Sequence, residues 1–188
     1  MMSGIMEKER DYTPEDVYLM KGHVELIDGN LLITDSTSPM HNFVTSEIAD
    51  SLRAYIKSNR GSCKVMQENV ALWCNEIADG CSKDFYQPDI MLVCDTSKID
   101  EKGVHGTPDF IAEVTSPATR AFDYGEKKEA YRRMGVREYW IIDLKNMIAV
   151  KHLLENNYDP EFYISPTQID VSIYENLSIN LSEYLSKQ

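Results

Sequence analysis

Between Asp109 and Ile142 the chain passes through a strand-length apolar run, an amphipathic helix and a second apolar run, and this order constrains the fold more than any other feature. Phe110-Ile111-Ala112-Glu113-Val114 and Tyr139-Trp140-Ile141-Ile142 are too short for buried helices and rich in β formers. A strand, a crossover helix and a strand in that order join parallel neighbours with right-handed topology. The helix is expected from about Asp123 to Met134, with Asp123 as its cap, Glu126 three residues on and Gly135 as its stop.

Other elements gather around this unit. Thr13-Pro14-Glu15-Asp16 reads as a helix start and Gly22 as its end. His23 to Ile27 and Leu31 to Thr34 flank the turn signal Asp28-Gly29-Asn30, hence a hairpin. A longer helix opens at Ser38-Pro39, carries Val44, Ile48, Leu52, Tyr55 and Ile56 on one stripe and stops near Gly61. Cys63 to Gln67 and Val70 to Cys74 read as a strand pair, and Asn75 to Tyr86 as a loop. Ile90 to Cys94 is apolar on both faces, as a covered central strand would be. Asp95 to Thr107 reads as a long polar connection. Met147 to Leu153, Glu161 to Ser165 and Val171 to Tyr174 read as a terminal meander closed by a short helix near Ser182 to Leu185. The sum is one α/β domain over residues 1–188, a mixed β-sheet flanked by helices with additional N- and C-terminal strands.

No run approaches a membrane span, and Met1 to Arg10 is too charged for a signal peptide, so a cytoplasmic protein is expected. The four cysteines, Cys63, Cys74, Cys81 and Cys94, are spaced by 11, 7 and 13 residues, which offers no Cys-x-x-Cys pair and favours buried free thiols. The net charge of -12 opposes non-specific binding to a polyanion. Yet from Arg120 to Arg137 six basic residues meet three acidic ones, which leaves -15 on the rest of the chain.

Two carboxylates interrupt runs that otherwise read as core. Asp89 heads one apolar strand, and Glu113 lies inside another, on the face of Ile111 and Thr115. A lone buried carboxylate costs several kcal/mol, roughly speaking, so Glu113 must be paired, be protonated or hold a metal. The plain alternative is an ion pair to Arg120 or Arg137. On the following helix Lys127, Ala130, Tyr131 and Met134 share one stripe, which turns Lys127 inward, whereas Lys128 and Arg132 lie on the opposite side. Two acids and a lysine at a sheet edge suit metal-assisted phosphodiester hydrolysis: Asp89 and Glu113 hold Mg²⁺, for which Mn²⁺ can substitute, and Lys127 orients water or offsets charge on phosphorus.

Gln87-Pro88-Asp89-Ile90, Glu113-Val114-Thr115-Ser116-Pro117-Ala118-Thr119, Asp123-Tyr124-Gly125-Glu126-Lys127, Tyr131 and Gly135-Val136-Arg137-Glu138-Tyr139-Trp140-Ile141-Ile142-Asp143 resemble the Uma family of restriction endonucleases, within the PD-(D/E)XK nuclease superfamily. Glu25-Leu26-Ile27-Asp28-Gly29, Ser38-Pro39-Met40-His41 and Glu175 to Glu183 extend the resemblance over nearly the whole chain. It implies a restriction-endonuclease-like fold, with Asp89 and Glu113 as metal ligands on adjacent strands. The superfamily lysine two residues after the glutamate is here Thr115, and Lys127 matches its relocated position on the next helix. Thr115 can hydrogen-bond a metal-bound water, and His41 and Glu47 are further candidates for the surroundings of the site.

The expected activity is a Mg²⁺-dependent endonuclease acting on DNA, with a homodimer serving two-strand cleavage. The alternative is a non-catalytic nucleic-acid-binding or protein-interaction module that keeps the nuclease fold and its acids as an ion-pair network. A metal-free hydrolase using the two acids on a sugar lacks an announced aromatic groove. The scattered histidines His23, His41, His105 and His152, and glycines without phosphate-loop spacing, give no competing motif.

Overall fold

The computed structural model describes residues 5–7, 11–34, 37–74, 83–164 and 168–185. Strand β1 (Ile5–Glu7) precedes helix α1 (Pro14–Tyr18), whose start is a capping box between Thr13 and Asp16. β2 (His23–Ile27) and β3 (Asn30–Thr34) form the expected hairpin, with Asp28 and Gly29 both at positive φ in the turn. Helix α2 (Pro39–Ser58) is capped by the Ser38 side chain and buries His41, Val44, Ile48, Leu52 and Ile56 along one face. β4 (Lys64–Gln67), β5 (Ile90–Val93), the small hairpin β6 (Ile99–Asp100) and β7 (Gly103–Val104), and β8 (Phe110–Thr115) follow. Then come helices α3 (Arg120–Tyr124) and α4 (Glu126–Met134), and strands β9 (Glu138–Asp143), β10 (Ile148–Leu153), β11 (Pro160–Ile164), β12 (Ile169–Asp170) and β13 (Ser178–Ile179).

The main sheet has six strands in the order β11-β10-β9-β8-β5-β4, parallel only between β8 and β9. This is the crossover read from Asp109 to Ile142, and the mixed sheet with flanking helices is a restriction-endonuclease-like fold. One face packs Met91, Ile111, Tyr139 and Ile141 against Ala130, Tyr131 and Met134 of α4, together with Ile27 and Leu32 of the hairpin. The other packs Ile90, Leu92, Phe110, Ala112 and Trp140 against Val44, Ile48 and Leu52 of α2, with Ile169, Val171 and Leu181 closing over them. β8 is buried along its whole length because it lies between two strands and beneath both layers.

Several expectations are corrected. Cys63 and Cys94 form a disulfide, whereas Cys74 is a buried thiol outside it and Cys81 lies outside the described residues. The pairing follows from register: Lys64 faces Val93 across the antiparallel β4 and β5, so the next pair outward is Cys63 and Cys94. Val70 to Cys74 does not partner β4; Leu72 makes isolated bridges to Tyr86 and Val104 instead. The loop expected at Asn75 to Tyr86 falls on described residues only from 83 onward. The connection after β5 contains β6 and β7. The last strand pairing is β12 with β13, not Val171 to Tyr174, and residues 182–185 form turns where a helix was expected.

The helix expected over Asp123 to Met134 is two helices jointed at Gly125, and Asp123 lies within the first instead of capping the second. A Cβ at Gly125 would stand 2.9 Å from the Ala121 carbonyl oxygen, so the joint depends on a bare α-carbon. No helix among the described residues is long and apolar enough to cross a membrane.

Candidate active site

β5 and β8 are antiparallel with Ile90 facing Ala112, and extending that register by one residue sets Asp89 opposite Glu113. The two acids are bonded to each other's strands. The Asp89 N–H donates to Glu113 Oε2 at 3.1 Å, and the Val114 N–H donates to Asp89 Oδ2 at 2.7 Å. Each carboxylate is therefore held by a backbone donor and has little freedom to turn.

Lys127 enters from the first turn of α4, beyond the Gly125 joint. Its Nζ donates to Glu113 Oε1 at 3.1 Å, lies 2.8 Å from Glu25 Oε2, and is 3.6 Å from Asp123 Oδ1. The Tyr131 hydroxyl, one turn further along the same face, donates to Glu113 Oε1 at 2.8 Å. Glu113 is thus paired with Lys127, while the arginines considered as alternatives are engaged elsewhere, Arg120 with Asp143 and Arg137 with Asp109.

His41 comes from the first turn of α2. Its Nε2 is 3.3 Å from Asp89 Oδ1 and 3.8 Å from Glu68 Oε1. Glu68 follows β4 with φ of 36°, next to Asn69 at 55°, and its N–H donates to the Asp89 carbonyl at 3.0 Å. Exposure shows where the cluster opens: the side chains of Glu25, Lys127 and Glu113 are 0%, 2% and 3% exposed, against 11% for Asp89 and 28% for Glu68. Solvent reaches the acids along the Asp89, His41 and Glu68 corner.

Burial and mutual charge set the proton affinities. Burial pushes Glu113 well above the usual carboxylate range, and the charges of Asp89, Asp123 and Glu25 add to this against Lys127. Burial likewise raises Asp123 to about 6, although Lys127 and the Thr119 side chain oppose it. Asp89 moves the other way: burial disfavours its charge, but the bond and charge of His41, the Val114 N–H and Lys127 outweigh that. His41 rises despite burial, through Asp89 and Glu68. Lys127 rises well above the ordinary lysine value because three carboxylates outweigh its desolvation. Two neighbouring acids with affinities driven apart are a pattern met where one carboxyl keeps its charge and the other can exchange a proton.

Four of the sequence-predicted residues, Asp89, Glu113, Lys127 and His41, come together here. Thr115 shares the Glu113 side of β8, but its hydroxyl donates to the Ser116 carbonyl at 3.2 Å and faces a neighbouring cavity. Glu47 lies elsewhere on α2, against Ser51 at 3.5 Å and the Tyr184 side chain, because its helical position points it toward the C-terminal segment. Glu25, Glu68, Asp123 and Tyr131 belong to the cluster and were not singled out from sequence as site residues. Glu25 carried a usable signal, since a charged residue within the apolar run of β2 is as anomalous as Glu113 within β8.

A divalent cation suits this donor set. Five acids, Glu25, Glu68, Asp89, Glu113 and Asp123, outnumber the groups that can meet them as cations among the described residues, Lys127, His41 and, 4.0 Å from Glu25 Oε2, His23, and the buried Glu68 Oε1 accepts no hydrogen bond from a described residue. Among the described residues no group of three or more His, Cys, Asp or Glu side chains is arranged to enclose an ion. Mg²⁺ does not require one, since it takes one or two carboxylates and completes its shell with water and substrate phosphate oxygens.

A family model described as "Uma2: Putative restriction endonuclease" matches residues 14–182. A solved structure described as a putative nuclease belonging to DUF820, from Anabaena variabilis ATCC 29413, superposes with a TM-score of 0.69 at 17% sequence identity, covering 93% of this chain and 99% of the other. No curated protein matches the sequence.

Proposed function

This chain belongs to the Uma2 family, and from that membership and the carboxylate and lysine geometry we propose that it is a nuclease hydrolysing phosphodiester bonds of DNA with a divalent cation held by Asp89 and Glu113. The observation that carries the reading is the Asp89 and Glu113 pair fixed strand to strand with Lys127 Nζ 3.1 Å from Glu113. When bound, Mg²⁺ would supply Lewis-acid stabilisation of the scissile phosphate. Lys127, held charged by its three carboxylates, offsets the negative charge that builds on phosphorus as water adds. Tyr131 and the Asp89 N–H fix Glu113, and His41 fixes Asp89 at the open corner. A homodimer and a cytoplasmic location complete the proposal, though the Cys63–Cys94 disulfide would be reduced in that compartment.

The test is nicking of supercoiled DNA with Mg²⁺ or Mn²⁺ against EDTA. Cleavage should require the metal and fall at least about 100-fold in Glu113→Gln and Asp89→Asn, each still folded by circular dichroism. Full activity in both variants would remove these residues from the chemistry. A second reading, a non-catalytic module, is favoured by one observation: both Glu113 oxygens already accept bonds within the protein. Calorimetric titration with Mn²⁺ separates the two, since only the nuclease needs Glu113-dependent binding.

A further inference from the structure

A cavity of about 130 Å³ opens beside the acid cluster, at the C-terminal ends of the parallel pair β8 and β9. It is lined by Thr115, Ser116, Pro117, Arg120, Asp143 and Lys145. Ligands of α/β sheets commonly sit beyond the carboxyl ends of parallel strands. Thr115 shares a face of β8 with Glu113, and consecutive residues on one face of a strand stand about 6.6 Å apart. That is close to the span of one nucleotide unit along a nucleic-acid backbone.

Arg120 is anchored for use in this cavity. Its Nη1 lies 2.5 Å from Asp143 Oδ2, and its guanidinium carbon is 5.3 Å from the Tyr124 ring centroid. Asp143 is itself buried and held by the Asn146 N–H at 3.0 Å and the Asn146 side-chain amide at 2.8 Å. One carboxylate cannot occupy all five N–H donors of a guanidinium, and Arg120 remains 44% exposed, so the others face solvent from a fixed position. Lys145, also exposed, adds a second cation to the same lining. The Ser116 hydroxyl accepts from the Ala118 and Thr119 N–H groups at 3.2 and 3.1 Å, which fixes the turn forming the cavity floor. With Arg120 paired to Asp143, Lys145 leaves the lining with one net positive charge on a chain of net charge -12, where general electrostatics cannot recruit a polyanion.

We propose that this cavity seats a backbone phosphate of the nucleic-acid strand next to the one cleaved, with Arg120 and Lys145 as its contacts. The proposal rests on the nuclease reading and gives it a register: the strand runs along β8 with one phosphate at the acids and the next at Arg120. In such a role Arg120 binds substrate and takes no part in bond cleavage.

The test separates binding from cleavage by working in a Glu113→Gln background. The dissociation constant for a short DNA duplex is measured against salt concentration, and inorganic phosphate is titrated in parallel while the Tyr124 and Asn146 amide signals are followed by NMR. Arg120→Ala should weaken DNA binding about tenfold and reduce the salt slope by about 1, with Arg120→Lys recovering the slope more than the affinity. Lys145 is exposed and not part of the Arg120, Asp143 and Asn146 bonding, so Lys145→Ala provides a second measure, expected to weaken binding about threefold. DNA binding that ignores both substitutions would overturn the phosphate seat and leave the nuclease reading intact. Phosphate-induced shifts that vanish in Arg120→Ala, when the Glu113→Gln protein does not bind DNA and the parent with Glu113 intact does not cut it, would uphold an anion seat and overturn the nuclease reading. Absence of both responses would overturn the seat.

Discussion

Glu25 Oε2 lies 2.8 Å from Lys127 Nζ, closer than the 3.1 Å between that ammonium and Glu113 Oε1. The charge of the lysine is shared between the hairpin and the sheet, and its removal strands acids from both. Lys127→Met should lose about 3 kcal/mol of stability at neutral pH, the scale of breaking a buried ion pair. The loss should shrink toward pH 5 as Asp123, pushed up to about 6, takes up its proton. Urea unfolding at the two pH values measures it, and equal losses would contradict an ionised cluster.

Asp123 has the opposite relation to stability. Its affinity for a proton rises on folding from an ordinary 3.8 to about 6, so between those values the folded protein keeps a proton that the unfolded chain releases. Stability contributed by this group is therefore lost as pH rises from about 4 to 6. Asp123→Asn should melt higher than the parent at pH 7, with the gain fading below pH 4. Asp89, whose affinity is depressed on folding, gives the reverse: Asp89→Asn costs stability at neutral pH, and the cost disappears as acid protonates the parent. Thermal melts from pH 7 down to below the ordinary aspartate value of 3.8 check both signs.

The joint at Gly125 sets the angle at which Lys127 meets the sheet. A methyl at Gly125 would press on the Ala121 carbonyl, so Gly125→Ala should cost about 1–3 kcal/mol and displace the lysine. Cleavage should fall more than the stability loss explains, and comparing activity well below the melting temperature with the melting curve separates the two effects.

Reducing the Cys63–Cys94 disulfide should lower stability by about 2–4 kcal/mol, the usual range for a native crosslink. The disulfide sits at the opposite end of β5 from Asp89, so Mn²⁺ affinity should stay within about twofold of the oxidised protein. Melting curves and titrations with and without a thiol reductant give both readouts.

What the sequence made legible was whatever short-range periodicity controls. Alternation placed Glu113 on a buried strand face, helical spacing turned Lys127 inward, and apolar runs marked β5, β8 and β9. Contacts fixed only by the packing of distant segments were not legible. Glu25 meets Lys127 across 102 positions, and the cysteine pairing depends on the register of two strands separated by a long connection. Asp123 looked like a helix cap because its distance to Glu126 fits one, yet the break at Gly125 turns its carboxylate to the lysine.

The hairpin of β2 and β3 stands apart from the six-stranded sheet, yet its Glu25 accepts the Gln87 N–H at 2.9 Å, two residues before Asp89, and also holds the lysine. Trimming the chain to its sheet and flanking helices would therefore not yield a minimal version of the acid and lysine cluster. The severed core would retain its strands while losing the brace that ties the approach to Asp89 to Lys127, and a separately supplied hairpin peptide should restore what the cut removed.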